Sequence, residues 1–351
     1  MAITVCGSCL EFGSSGTMCN TPTGFSFGGT IKAESGFCDT RAFQGTVAGY
    51  SSGGFGSNPN PSNPLEDHNR IDKFSFVSDA SATDVGDLTQ ARAAVSGQTS
   101  PVAGYTSGGC RQPGILSNVI DKFPFATDAN ATDVGDMTSA RIGPSGQSSL
   151  ENGYATTGSP TASSGIFHNS GGSDNIDKFP FASDSNSTDV GEISLGRNHA
   201  AGQSSTTHGY TTGGYRAEAD STIQKFPFAS ESDSSVDVGE ITGYKGRAHV
   251  SGQSSDTSGY TSGGRQPTGG TDAIDKFPFA TDASATDVGE LIYGACFTTG
   301  QSSTVSGYVT GGSGTSAGNT IQKFPFASDN SASDVGELTH LRRCAAAGQQ
   351  V

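Results

Sequence analysis

The stretch Ile274-Asp-Lys-Phe-Pro-Phe-Ala-Thr-Asp-Ala-Ser-Ala-Thr-Asp-Val-Gly-Glu-Leu291 is repeated, with small changes, six times along this chain. Its opening returns as Ile71-Asp-Lys-Phe74, Ile120-Asp-Lys-Phe123, Ile176-Asp-Lys-Phe179, Ile223-Gln-Lys-Phe226 and Ile321-Gln-Lys-Phe324, at intervals of 49, 56, 47, 51 and 47 residues. That period exceeds most helical repeats and suits one propeller blade. Within the stretch, Phe123 and Phe125 are two residues apart and share a face, whereas Ile120 and Lys122 point to the other. Paired rings on one face are expected to fill the space against a neighbouring sheet.

Three further segments recur around it. They are Ala-x-Gly-Gln-Ser-Ser, as at Ala200–Ser205; Gly-Tyr-Thr-Ser-Gly-Gly, as at Gly104–Gly109; and Asp-Val-Gly-Glu-Leu/Ile-Thr, often followed by Arg92, Arg141, Arg197, Arg247 or Arg343. All are short and bounded by Gly, Asp, Asn or Ser, which is the grammar of strands and turns. Pro124, Pro180, Pro227, Pro278 and Pro325 each remove a ladder donor, which predicts a bulge or strand end there. The chain begins its repeats midway through a unit near Arg41-Ala-Phe-Gln44 and stops after Gly348-Gln349, the first segment of a further one. A last strand paired with the first unit would close a ring and remove exposed sheet edges. Either terminus can supply that strand. The expectation is an all-β, six-bladed β-propeller of four-stranded blades over residues 41–351, preceded by an extension over residues 1–40.

The order of these segments resembles the kelch repeat, in which a strand ending in Gly-Gly precedes an aromatic strand, a turn and a Trp-bearing strand. Here there is no Trp, and Val85, Val134, Val190, Val238, Val288 and Val335 stand nearest that slot. The phrases Phe-Pro-Phe-Ala-Thr/Ser-Asp, Asp-Val-Gly-Glu-Leu-Thr and Gly-Gln-Ser-Ser also resemble repeat proteins of marine tailed bacteriophages. That resemblance implies a virion or tail-associated component. The N-terminal Leu10-Glu-Phe-Gly-Ser-Ser-Gly-Thr17 is similar to phrases in phage fibres.

Composition narrows the function classes. A net charge of −15, from 34 acidic and 19 basic side chains, disfavours nucleic acid. No apolar run approaches the roughly 18 residues that would span a bilayer, and the first residues lack the pattern of a secretory signal. Seven cysteines, Cys6, Cys9, Cys19, Cys38, Cys110, Cys296 and Cys344, make an odd and scattered set that fits a reducing cytosol. Cys6-x-x-Cys9 lacks the second close pair of a zinc site.

Candidate sites fall at the two ends of the expected ring. Asp128, Asn130 and Asp133, with Asp282 and Asp287 in a later repeat, alternate oxygen side chains in a way that can ligate Ca²⁺. The same residues can bond their own backbone in a turn, so the expectation is no cofactor, with Ca²⁺ the one alternative. The loops between Gly-Gly and Ile vary most and carry Asn58, Asn60, Asn63, Phe167, His168, Asn169 and Tyr215, the candidate binding residues. The phased arginines have the chemistry to bind an anionic ligand around a central channel, but they and Lys73 with its equivalents are expected instead to tie adjacent blades. The six histidines show no common phase, no catalytic motif is present, and no enzyme is expected. These readings point to a non-enzymatic structural part of a tailed-phage virion, possible host attachment included, present in several copies and docked to other virion proteins through residues 1–40. The alternative is a lectin-like propeller that binds a host surface glycan or protein through its variable loops.

Overall fold

The structure, a computed structural model, describes residues 4–6, 9–11, 17–19, 44–56, 66–161, 171–230, 234–243, 246–314 and 318–350. The chain divides into Met1–Arg41 and Ala42–Val351. In the first unit Thr4–Cys6, Cys9–Glu11 and Thr17–Cys19 form a three-stranded antiparallel sheet, with Cys6 opposite Cys9 and Cys9 opposite Cys19.

The described residues of the second unit are all-β and include six four-stranded antiparallel sheets. Sheet 1 orders Ala346–Gln350, Ala48–Ser52, Arg70–Ser75 and Thr83–Asp87, so its first strand comes from the C-terminus. Sheet 2 orders Ser96–Thr99, Ala103–Ser107, Val119–Pro124 and Thr132–Asp136; sheet 3, Ser145–Ser148, Asn152–Thr156, Asn175–Pro180 and Thr188–Glu192. Sheet 4 orders Ala201–Ser204, His208–Thr212, Thr222–Pro227 and Val236–Glu240; sheet 5, Ser251–Ser254, Ser258–Ser262, Ala273–Pro278 and Thr286–Glu290. Sheet 6 orders Thr299–Ser302, Ser306–Thr310, Thr320–Pro325 and Ser333–Glu337. The five prolines sit at the last residue of the third strands of sheets 2 to 6, where sheet 1 has Ser75. The bulge lies elsewhere, between Ile120 and Asp121 and at the matching places, on the side facing the fourth strand.

The Phe-x-Phe pattern fills the space between sheets. The Tyr and Ile of one sheet pack against the paired rings of the next. Tyr50 stacks on Phe125 at 5.0 Å, Tyr105 on Phe181 at 4.9 Å, Tyr154 on Phe228 at 4.7 Å, Tyr210 on Phe279 at 4.9 Å and Tyr260 on Phe326 at 4.8 Å. Tyr308 of sheet 6 stacks on Phe76, after the third strand of sheet 1, at 4.7 Å, so the series returns to its start. Each such pair adds about 0.5–1.5 kcal/mol beyond the area it buries. The glycine before each tyrosine lies opposite the first phenylalanine of its own sheet; a Cβ on Gly104 would sit 2.2 Å from the Phe123 ring. Gly-Tyr is therefore a steric requirement of Lys-Phe.

First strands pack on one another through glycine. A Cβ on Gly146 would lie 2.0 Å from the Gly97 carbonyl oxygen, and one on Gly97 would lie 1.9 Å from that of Ala347. From the same strands Gln98, Gln147, Gln203, Gln253 and Gln301 donate side-chain N–H groups to the carbonyls of Tyr154, Tyr210, Tyr260, Tyr308 and Tyr50. In the C-terminal strand the register corrects the sequence alignment by one residue. Gly348, opposite Tyr50, occupies the glutamine slot, and Ala347 the glycine slot.

Buried ion pairs join consecutive sheets, as expected, with one shift in identity. Arg92, Arg141, Arg247 and Arg342 are fully buried against Asp121, Asp177, Asp275 and Asp72, at 2.9 Å for the first pair. Arg342, not Arg343, is thus the fifth phased arginine. The fully buried Arg197 faces a repeat with Gln224 in place of Asp, and pairs with Asp220 instead at 3.1 Å. Where Ala295 replaces Arg, Gln322 replaces Asp, so both members are neutral together. Removing one partner of a buried pair strands the other charge at about 3–5 kcal/mol.

Two outcomes follow for stability measured by denaturant unfolding. Arg247→Ala is expected to cost about 3–5 kcal/mol, and Arg247→Ala with Asp275→Gln, which copies the natural Ala295/Gln322 pair, to cost clearly less. Equal losses would show that the stranded charge is not the cause. Gly348→Gln is expected to stabilise by about 1 kcal/mol. A Cβ there meets only Phe123, Tyr50 and Gly104 at 3.4–4.0 Å, and a side chain of this length can complete the glutamine series at Tyr105. A lowered unfolding midpoint would contradict this.

Candidate functional site

Antiparallel order within each sheet sends the connections between sheets and the Gly-Gly-to-Ile loops to one end, and the acidic turns to the other. At the connection end three successive slots repeat. The first is the buried arginine slot. The next residue pairs with the one following Gly-Gly: Ala93 with Cys110, Ile142 with Ser159, Asn198 with Tyr215, Ala248 with Arg265, Cys296 with Ser313 and Arg343 with Phe55.

The third slot holds Ala94, Gly143, His199, His249, Phe297 and Cys344, whose φ values of 52°, 66°, 52°, 56°, 62° and 57° are all left-handed. Each N–H in this slot donates to the carbonyl of the preceding unit's residue: Gly143 to Ala94, His199 to Gly143, His249 to His199, Phe297 to His249, Cys344 to Phe297 and Ala94 to Cys344, at 2.8–3.0 Å. Glycine adopts this conformation freely, and other residues held there cost of order 1–3 kcal/mol each. Five of the six positions nonetheless keep a side chain. Those side chains pack together: His199 and His249 lie 4.3 Å apart by ring centroids, and His249 and Phe297 lie 3.9 Å apart.

This packing corrects two expectations. His199 and His249 share one phase of the repeat, and the three cysteines that looked scattered, Cys110, Cys296 and Cys344, belong to one apolar cluster with Phe55 and Phe297. Burial pushes the Cys110 thiol up to about 12 and raises that of Cys344, so both remain protonated and inert at neutral pH. A third pairing joins His68 to His340 at 5.9 Å between ring centroids.

Three concavities adjoin this end. One of about 140 Å³ lies among the first strands and reaches His199, His249 and Phe297. A second, of about 270 Å³, is walled by Tyr215, Glu218, His249 and Arg265. A third, of about 460 Å³, is lined by Arg265, Arg343, Cys296, Phe297 and Ser313. Of the sequence-predicted binding residues, Tyr215 lines the second concavity. Asn58, Asn60, Asn63, Phe167, His168 and Asn169 lie outside the described residues. Arg265, His249 and Phe297 also line these concavities and were not among the sequence-predicted binding residues, and Arg343 was expected as a tie. Aligning the repeats on the buried arginine and noting which slots diverge would have found them.

At the opposite end the acidic turns act as clasps. Asp128 accepts from Lys73 of the preceding sheet at 3.0 Å, and Asp282 accepts from Lys225 in the same way. The series runs on through Lys122–Asp184 and Lys276–Asp329 and returns with Lys323–Asp79 at 2.9 Å. Asn130 accepts from the Asp87 N–H, while Asp133 and Asp287 accept from the N–H of Gly135 and Gly289. Among the described residues no group of three or more His, Cys, Asp or Glu is arranged to hold a metal ion. No described helix is long and apolar enough to cross a membrane.

No protein-family model matches this chain, and no curated protein matches it.

The histidine beside Arg342 gives a pH dependence. Burial, and then the nearby Arg342 and His340, lower the pKa of His68 from 6.5 to about 4. The unfolded chain therefore binds the proton first, so stability present above pH 6.5 is lost as pH falls towards 4. Between pH 7 and 4.5 the wild type is expected to lose roughly 2–3 kcal/mol more than His68→Gln in denaturant unfolding. Parallel losses in the two proteins would exclude His68 as the group.

Proposed function

We propose that the six sheets form a closed six-bladed β-propeller of kelch-like blades, and that the protein is a non-enzymatic component of a tailed-phage virion. The closed series of stacked rings, buried ion pairs, surface ion pairs and backbone hydrogen bonds, each joining sheet 6 to sheet 1, supports the architecture. The resemblance of the repeats to virion proteins of marine phages supports the setting. Fold by itself does not assign function.

The observation that carries the functional reading is the confinement of divergence to one end. Between repeats, the aromatic, lysine, acidic and glutamine slots are nearly constant, whereas the slots pairing around Ala93–Arg343 and the left-handed slots differ in almost every unit. A rigid frame with one variable, concave end is how binding surfaces are built. We assign that end to attachment, either to a host surface glycan or protein or to another virion part. Residues 1–40 are then the docking segment, and the protein is carried on the particle exterior in several copies.

Mass spectrometry of washed, purified particles is expected to find this chain at fixed stoichiometry. Its absence from intact particles would remove the virion assignment.

A further inference from the structure

The concavity between sheets 5, 6 and 1 departs most from the repeat. In the connection that carries Cys296, the ion pair present at the other connections is replaced by the neutral Ala295 and Gln322. The small pair Cys296 and Ser313 leaves a gap, while the flanking pairs contribute Arg265 on one side and Arg343 on the other. The gap measures about 460 Å³, and no carboxylate is among its described lining residues. The Arg343 guanidinium lies 5.0 Å from the centroid of the Phe55 ring, an arrangement that holds it at the rim. Arg265 and Arg343 both line this cavity beside Cys296, whose thiol pKa is raised by burial and lowered by the two cations.

Two guanidinium groups facing one cavity recognise a planar or tetrahedral oxyanion through charge-assisted hydrogen bonds. They stand in a chain whose net charge is −15, so two arginines lining one cavity run against the overall charge balance. Its size matches small-ligand sites, which run from about 300 to 1,000 Å³, and leaves room for more than an oxyanion. The Ser313 hydroxyl and the backbone of Gly269 and Gly270 supply polar groups suited to a polyol, with the apolar Phe297 also in the lining. We infer that this cavity is a subsite for a saccharide unit bearing one anionic group, a carboxylate or a sulfate ester. The inference rests on the attachment reading of this end and names its ligand class.

The test is calorimetric titration of the full chain with glucuronic acid, glucose 6-sulfate, glucose and inorganic sulfate. At least one of the two acidic sugars is expected to bind ten-fold or more tightly than glucose and than inorganic sulfate, and the better of the two identifies the anion. Arg265→Gln and Arg343→Gln are each expected to weaken that binding at least ten-fold, and Ser313→Tyr to block it by filling the gap without a change of charge. Arg111→Gln, at another connection, is expected to leave it unchanged. Wild-type unfolding midpoints in the variants would exclude misfolding as the cause of any loss. Glucose or inorganic sulfate binding as tightly as the acidic sugars, or unchanged affinity in both arginine variants, overturns the inference. This result is independent of particle composition, so the subsite and the virion assignment can fail separately.

Discussion

Six peptide groups, one per repeat, donate head to tail from residue 94 through 143, 199, 249, 297 and 344 and back to 94. Such a cycle requires that the six first strands converge, and convergence is limited by steric bulk. The glycines at 97, 146, 202, 252 and 300 remove that limit, because the carbonyl of each neighbouring strand occupies the place of a Cβ. With the first strands that close, the second and third strands of adjacent sheets are held at the separation that a stacked Tyr and Phe pair fills. The remaining contacts between sheets follow from this spacing.

The interactions between sheets differ in what they contribute. Stacked rings exclude water and bury apolar surface between sheets. The half-exposed Lys–Asp clasps are worth little individually, about 0–1 kcal/mol, and act mainly on register. The buried guanidinium–carboxylate pairs carry a large penalty if one partner is lost. That asymmetry explains why the two departures from the pattern are compensated: Arg197 finds Asp220 where its usual aspartate is Gln224, and Ala295 is matched by Gln322. Neither leaves a buried charge without an opposite one.

Repetition constrains one end of the body more than the other. At the acidic-turn end the aspartate and asparagine side chains are committed to a clasp, a turn or the neighbouring sheet, so the same residues recur. At the connection end, a cycle of backbone hydrogen bonds holds the left-handed slots whatever side chain each carries. The residue type there varies from Ala94 and Gly143 through His199 and His249 to Phe297 and Cys344. The strain of keeping non-glycine residues in that conformation marks the end where individuality is retained.

Much was legible in the chain itself. The two-residue spacing of Phe123 and Phe125 placed both rings on one face, and the fixed phase of Arg and Lys indicated ties between sheets, because these are local patterns that a strand converts directly into geometry. The sequence left open which terminus completes sheet 1, because Arg41–Gln44 and the C-terminal segment carry similar local signals. It also suggested Gly348-Gln349 and Arg343 for slots that Ala347-Gly348 and Arg342 occupy, since a one-residue register choice is set by the neighbouring strand. The convergence of Cys110, Cys296 and Cys344, and of Arg265 with Arg343, came only from tertiary structure. Those residues belong to different repeats and meet because the connections of consecutive sheets gather at one end, a distance relation that no single repeat contains.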